Sequence, residues 1–599
     1  MDQPIDYVRE TFSAEEEALL GQFFTNVDRP VFALKNLPEV VKGALFARYS
    51  RSAKSLRRLF LDEFAGDLQE TPQGDAAWPS PAMRRPRPAG AAADLPGAPP
   101  QAGGAAADLA GAPPQEAAAA PDRAAAMQGF APREVGLGRA ADLYRRIFTE
   151  YGDDSVAQLG GAHLACEQAS NVLTKVLEWG RLAAYLEQST RYIYFDQKLG
   201  GRYRYLTPPE LKGTSLEAAF VETMDALFEL YSALARKLDE EYQRRLPRAP
   251  GDSPLVRKQT IRARVCDELR GLLPAATVSN VGIFASGQAF EALLLRMRAH
   301  PLAEVRQYAD LLLHELKLVL PDFVRRIEVP DRGGAWTSYL RATADAVGAL
   351  AAEVCPQESA EAAPPPAVSL VDWDPEGEMK VIAAALYGAS ALPDDRLLEL
   401  VRGLPPQDRE RIFRAYVGAR GNRRHKPGRA LERTSYRFDL VADYGIFRDL
   451  QRHRMLTLEW QRLSPHLGYV TPEVVEEMGW APDWQAAMAR AARLYDAIRE
   501  RCGPETAQYA VPFAYRVRFY LQLNAREAFH VLELRSQQGG HEAYRHLCRE
   551  MHRQIAEVAG HRLLAAAMTY VDHGDYDFGR LASERRAETR REAAALRGD

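Results

Sequence analysis

The chain repeats itself in order. Tyr205-Leu206-Thr207-Pro208 returns as Tyr469-Val470-Thr471-Pro472, and Leu230-Tyr231-Ser232-Ala233-Leu234 returns as Leu494-Tyr495-Asp496-Ala497-Ile498. Arg270-Gly271-Leu272-Leu273-Pro274 corresponds to Gln508-Tyr509-Ala510-Val511-Pro512, and Ala289-Phe290 through Leu295-Arg296 to Ala528-Phe529 through Leu534-Arg535. Each piece is short, but their shared order implies duplication and fusion of one unit of roughly 200 residues, the size of an ordinary domain. A chain of 599 residues is in any case too long for a single core. Phe220, Met224, Leu227, Leu230, Leu234 and Leu238 recur at helical spacing, whereas Val368-Ser369-Leu370-Val371 reads as a strand opening the second half. The expectation is a helix-rich α+β fold in two tandem copies.

Composition shift marks the boundaries. Residues 66–135 are rich in Ala, Pro and Gly, and within them Gly90–Gln101 recurs almost unchanged as Gly104–Gln115. Such a stretch buries too little apolar surface to offset its ordering entropy and is expected to be a disordered insertion. A second linker, Pro356–Pro366, ends in three consecutive prolines. The expected layout is therefore a first domain over 1–330 carrying the insertion, a connecting segment over 331–365, a second domain over 366–580 and a charged tail over 581–599.

The net charge of −4 exerts no general pull on nucleic acid or anionic membrane, so nucleic acid is an unexpected partner. No apolar run reaches the roughly 20 residues that span a bilayer. The start, Met1-Asp2-Gln3-Pro4-Ile5-Asp6, lacks the basic and apolar regions of a signal peptide, and five scattered cysteines read as reduced thiols. These features together lead one to expect a cytoplasmic protein.

The residues that carry chemistry divide unevenly between the halves. The second half has Arg452-His453-Arg454 where the first has Trp179-Gly180-Arg181. The first half has Glu187-Gln188-Ser189-Thr190-Arg191-Tyr192 where the second has Trp460-Gln461-Arg462-Leu463-Ser464-Pro465. Read as helical, Arg452, His453 and Arg454 point about 100° apart and serve three different groups. Guanidinium forks suit phosphates and paired carbonyls; the plainer reading is a solvated basic turn. Glu187, Ser189 and Arg191 alternate, which in an extended segment puts a carboxylate, a hydroxyl and a guanidinium on one side; the plainer reading is a surface turn with an internal salt bridge. Asn524-Ala525-Arg526 opens a segment on which His530 shares a face with Arg526, and Arg535 follows. There is no Gly-rich phosphate loop, no His/Cys metal spacing and no nucleophile elbow.

Taken together, Arg452-His453-Arg454 and Glu187-x-Ser189-x-Arg191-Tyr192 resemble the split signature of the flavin-dependent thymidylate synthases. The likeness covers most of 31–330 and 366–575 and suggests a tandem member of that family, its halves forming a pseudo-dimer. Members of the family are homotetramers whose sites draw residues from more than one subunit. By resemblance, Arg452, His453, Arg454, Asn524, Arg526, His530 and Glu187 would bind FAD. Arg452, Glu187, Gln188, Ser189, Thr190, Arg191 and Arg270 would bind dUMP, and Arg535 would assist ionisation of the uracil ring as the catalytic residue. The implied reaction makes dTMP from dUMP with methylenetetrahydrofolate and NADPH as co-substrates, in a homodimer equivalent to the family tetramer. Because each half keeps only one set, the resemblance implies a single composite site per pair of facing halves, and a dead reciprocal one. Departures are Asp449 where the family often has glutamine, Arg429 in place of a small hydroxyl residue, and Glu459-Trp460 in place of Asn-Glu. Two other readings remain: a relative modifying another pyrimidine, and a scaffold that kept only the fold.

Overall fold

In a computed structural model describing residues 3–65, 156–246, 253–355 and 366–597, each half builds a small antiparallel sheet of four strands. The first comprises β1 (Val31–Leu34), β2 (Gly161–Ser170), β3 (Ala183–Glu187) and β4 (Val278–Ser286), in the order β1-β2-β4-β3. The second comprises β5 (Val368–Trp373), β6 (Ser435–Asp443), β7 (Thr457–Trp460) and β8 (Arg516–Asn524), in the matching order β5-β6-β8-β7. Alternation makes the strands: Val517, Phe519, Leu521 and Leu523 of β8 are buried, with Arg518, Tyr520 and Gln522 between them only partly so. The body holding both sheets spans 1–62 and 153–599; a second unit, 63–152, lies almost wholly outside the described residues.

The helices that matter for the site are α1 (Asn171–Leu177), α2 (Glu217–Arg245), α3 (Pro254–Leu269), α4 (Gly287–Ala299), α5 (Tyr444–Leu450), α6 (Ala481–Cys502), α7 (Ala525–Arg535) and α8 (Glu542–Glu557). Their starts are capped in matching fashion. Ser170 accepts from Leu173 N at α1, and Asp443 accepts from Ile446 N at α5. Ser286 caps α4 and Asn524 caps α7. Each side-chain oxygen satisfies an amide that the first helical turn leaves unpaired. The stripe expected from Phe220 to Leu238 lies on α2; all of it is buried except the half-buried Leu230. Its counterpart α6 buries Trp484, Met488, Leu494, Tyr495 and Ile498.

Equivalent segments of the two halves meet each other. Pro274 bridges Pro512, and since neither proline has an amide to donate, the flanking residues carry the bonds. Ala275 N donates to Val511 O at 2.8 Å and Ala276 N to Tyr509 O at 3.0 Å. In return Phe513 N donates to Leu273 O and Ala514 N to Gly271 O, both at 2.9 Å. A Cβ on Gly271 would come within 3.0 Å of the Trp484 ring, so glycine permits this close approach. Nearby, the Tyr444 hydroxyl donates to Asn171 O at 2.7 Å, joining the starts of α5 and α1. Contacts in which each partner presents the same segment are isologous, the pattern of a two-fold interface.

One local expectation is corrected. Arg452-His453-Arg454 is not helical: α5 ends at Leu450, and the three residues form the turn into β7. Strand β7 must pair with the centre of the sheet, so the chain leaves the helix there. The insertion at 66–135 and the linker, apart from Pro366, lie outside the described residues. Among the described residues no helix is long and apolar enough to cross a membrane. The five cysteines are free thiols; Cys166, Cys266 and Cys548 are buried.

Candidate active site

Glu187 ends β3 with its side chain wholly removed from solvent, and three cations converge on it. Arg448 Nη2 donates to Oε1 at 2.8 Å; Arg452 Nη2 and Lys175 Nζ reach Oε2 at 3.1 and 3.3 Å. Arg448 and Arg452 belong to the second half, on α5 and just past its end, and Glu187 to the first. Burial works to raise the Glu187 carboxyl, but Arg448, Lys175 and Arg452 outweigh it and hold it well below the usual carboxylate range. Arg448 Nη1 also donates to Thr190 Oγ1 at 3.2 Å. Gln188 turns inward within its own half, where its Oε1 accepts from Arg204 at 2.8 Å.

Arg191 does not share Glu187's partners, contrary to the one-sided reading of that segment. The chain turns after β3, and Arg191 clasps Asp267 of α3 through Nε at 2.6 Å and Nη2 at 2.7 Å. Its Nη1 donates to the hydroxyl of Tyr544, on α8 of the other half, at 2.9 Å. Ser189 Oγ accepts from Arg191 N at 3.2 Å. Burial tends to raise Asp267, yet Arg191 and His541 bring it down to about 2. Arg270, at the end of α3, donates through Nη1 to Asp449 of α5 at 3.1 Å. Asp449 is held far below its ordinary range: burial opposes this, but Arg270, Arg191, Arg452 and Arg535 all act on it. Four of the arginines singled out in the sequence, two from each half, therefore surround one carboxylate.

On the second half, Arg535 Nε donates to His453 Nε2 at 2.8 Å. The other ring nitrogen, Nδ1, then carries the proton, facing Glu527 Oε1 at 3.6 Å. Burial keeps His453 neutral, its pKa lowered to about 4. His530 Nδ1 lies 3.4 Å from Glu527 Oε2. His453, Glu527 and His530 thus sit within 4.8 Å of one another, close enough in principle for a shared ion. With both Nδ1 atoms turned to Glu527 and Nε2 of His453 accepting from Arg535, the trio reads as a hydrogen-bond chain. Arg526 does not share a partner with His530: it is held by Glu432 and Pro427 O, each at 3.1 Å. Asn524 spends its side-chain oxygen on the α7 cap.

Arg454 donates to Ala183 O, Arg181 to Thr457 Oγ1 at 3.0 Å, and Trp179 Nε1 to Leu458 O at 3.2 Å. These crossings frame a cleft of about 290 Å³ whose lining includes Trp179, Arg181, Arg296, Gln451, His453 and Arg454. At the place equivalent to the Glu187, Ser189 and Arg270 cluster, a cleft of about 220 Å³ is lined by Val172, Lys175, Val176, Trp460, Arg462 and Gln508 among others. There Arg462 pairs with Glu505 and Gln508 accepts from Leu463 N, so the counterparts of the anion-binding side chains are apolar or already engaged.

Arg448, Lys175, Asp267 and Tyr544 are site residues that sequence reasoning missed. Arg448 had a signal: it is a cation on a short segment rich in large apolar residues, Tyr444, Ile446, Phe447 and Leu450, which buries it. The other three depend on contacts between distant segments.

The sequence pattern described as thymidylate synthase complementing protein matches twice, over 109–322 and over 369–560. The chain belongs to this family. The two matches fall on the two halves, each with its own sheet. The UPF0159 protein of Chlamydia pneumoniae is 37% identical over 97% of this chain and 98% of its own length. A flavin-dependent thymidylate synthase of Clostridium tetani is 25% identical over 30% of this chain and 68% of its own. A solved UMP/dUMP methylase PolB from Streptomyces cacaoi, bound with 5-Br dUMP, covers 34% of this chain and 93% of that one, with 17% identity and a TM-score of 0.28.

Proposed function

We propose that this protein is a flavin-dependent thymidylate synthase that methylates dUMP to dTMP at one composite site, built from residues of both halves. The observation that carries this reading is the contact of Glu187 with Arg452 and Arg448. It joins the Glu-x-Ser-x-Arg segment of one half to the Arg-His-Arg segment of the other within hydrogen-bonding distance. The isologous pairing of Gly271–Ala276 with Tyr509–Ala514 supports reading the halves as a pseudo-dimer, and the chain as half of a homodimer equivalent to a tetramer.

In this reading Arg191, Arg270 and Ser189 hold the nucleotide phosphate, Arg452 reaches from the flavin side toward the nucleotide, and Arg535 faces the uracil. Arg535 is a preorganised donor: its Nε is aimed by neutral His453, and its guanidinium lies 5.5 Å from the Tyr544 ring centre. A fixed cation of this kind stabilises negative charge developing on the uracil ring without reorganising. Flavin fits the cleft beside His453 and Arg454, where Arg296 Nε and Gln451 Oε1 are buried polar atoms without a hydrogen-bond partner, one donor and one acceptor. When bound, FAD would supply the hydride for reduction of the methylene group, with NADPH and methylenetetrahydrofolate as co-substrates. Arg452, His453, Arg454, Asn524, Arg526 and His530 would hold it.

The test is dUMP-dependent oxidation of NADPH by the purified full chain in the presence of methylenetetrahydrofolate, together with flavin stoichiometry. One flavin per chain and loss of turnover in both Ser189→Ala and Arg452→Ala are expected. Two flavins per chain, or turnover untouched by either substitution, would defeat the composite site. Turnover on another pyrimidine with none on dUMP would leave the site and replace the substrate.

A further inference from the structure

The arginines assigned above to a phosphate already hold carboxylates. Arg191 is bound through two nitrogens to Asp267, and Arg270 is bound to Asp449. Asp449 is the more telling of the two. It projects from a helix whose seven residues are all buried, and it and Arg270 have side chains only 9% and 4% exposed. Arg270 nonetheless has a donor to spare: its Nη2 is buried without a hydrogen-bond partner. Gly445 makes room for this guanidinium, since a Cβ there would lie 3.0 Å from Arg270 Nε. A phosphate oxygen received by Nη2 would therefore share one guanidinium with a carboxylate that Nη1 already holds. Two anions so placed repel, and a buried setting screens them less than water does.

We infer that Asp449 is a specificity-determining residue that counter-charges the phosphate pocket, weakening its hold on a phosphate dianion and shifting binding toward the uracil moiety. This rests on the proposed uracil-nucleotide reading of the site. Burial opposes ionisation of Asp449, but Arg270, Arg191, Arg452 and Arg535 outweigh it, so the counter-charge persists at neutral pH. A neutral Asn retains the shape and leaves the four guanidiniums uncompensated by one charge.

The test is calorimetric titration of the full chain and of Asp449→Asn with three probes: inorganic phosphate, deoxyuridine and dUMP. In Asp449→Asn, phosphate and dUMP should bind about tenfold tighter or more, with deoxyuridine within about twofold of the parent. Unchanged or weaker phosphate binding, or no phosphate binding by either protein, overturns the inference. The unaltered protein gives a second reading that no folding defect can blur. Its preference for dUMP over deoxyuridine should be under about tenfold, and one above about a hundredfold overturns the inference. If neither uracil compound binds while Asp449→Asn still gains phosphate affinity, the charge inference stands and the substrate reading falls.

Discussion

Removing the Glu187 charge tests the junction of the halves most directly. Glu187→Gln keeps the volume and one acceptor while taking away the only charge that Arg448 has within bonding distance. The three cations will not suffer equally. Arg452 is 38% exposed and water screens it, so its share is small. Lys175 keeps Glu178 at 2.7 Å. Arg448, 3% exposed and with Nε already lacking a partner, would be left with neutral partners alone, among them the Thr190 hydroxyl and the Phe513 ring at 4.7 Å. Breaking a buried pair from one side costs about 3–5 kcal/mol, and because only Arg448 is fully stranded, the lower end, about 3 kcal/mol, is expected.

Urea unfolding read by tryptophan fluorescence measures the loss, and a cycle with Arg448→Met apportions it. The double variant should lose less than the sum of the singles, by about 2 kcal/mol, since it buries no stranded charge. A loss under about 1 kcal/mol for Glu187→Gln, or strict additivity in the cycle, would refute the reasoning. Glu187 would then be a bystander in the junction of the halves.

Protonation of His453 should destabilise the protein in mild acid. His453 has a folded pKa of about 4 against 6.5 unfolded, so its contribution is complete above pH 6.5 and is lost as pH falls toward 4. The expected loss is on the order of 2–3 kcal/mol, read as the difference in melting temperature between the parent and His453→Gln as pH falls from 6.5 to 4; parallel profiles speak against a buried neutral imidazole at this position. Asp267 adds a second, lower window, with stability present above 3.8 and lost as pH falls through about 2. Arg191→Lys keeps the charge but loses the two-pronged clasp on Asp267, and dUMP affinity should drop by about threefold to fivefold in titration; equal affinity would show that the fork is dispensable. Trp179→Ala removes the bond to Leu458 O and the ring under Arg296, 4.9 Å away. It should cost about 1–2 kcal/mol of stability in urea unfolding, and a loss under about 0.5 kcal/mol would show that neither contact matters.

The duplication was legible because it is written as ordered pieces of sequence, and each piece has a structural counterpart. Tyr205 and Tyr469 both form isolated bridges to the segment entering the central strand, at Thr277 and Tyr515. The apolar stripe of α2 was legible because a period near 3.6 belongs to the α-helix and not to the strand, whose period is 2. The turn at Arg452-His453-Arg454 was not, since a helix that stops for the sake of a strand pairing carries no local mark. Asp267 was missed, along with the pairings of Glu187 and Asp449, for a related reason. Asp267, Asp449 and Glu187 look alike in sequence, and only tertiary contacts reveal which arginine each one neutralises.

The two halves share a backbone plan and differ in what they hang on it. Ser170 and Asp443 cap equivalent helices with the same bond, yet the turn after one helix carries Trp179 and after the other Arg452. Had the second set of side chains simply decayed, loss would be expected to leave unpaired polar atoms and poorly filled space. Instead the reciprocal cleft has Trp460, Leu463 and Val176 in its lining, with Arg462 and Gln508 each given a new partner. The unpartnered buried nitrogens of Arg270 and Arg448 fall on the other side, around Glu187 and Asp449. Unmet hydrogen-bonding capacity is costly to keep, at about 1–3 kcal/mol for each buried group. Here two such donors lie beside Glu187 and Asp449, whereas at the equivalent place Arg462 and Gln508 have partners.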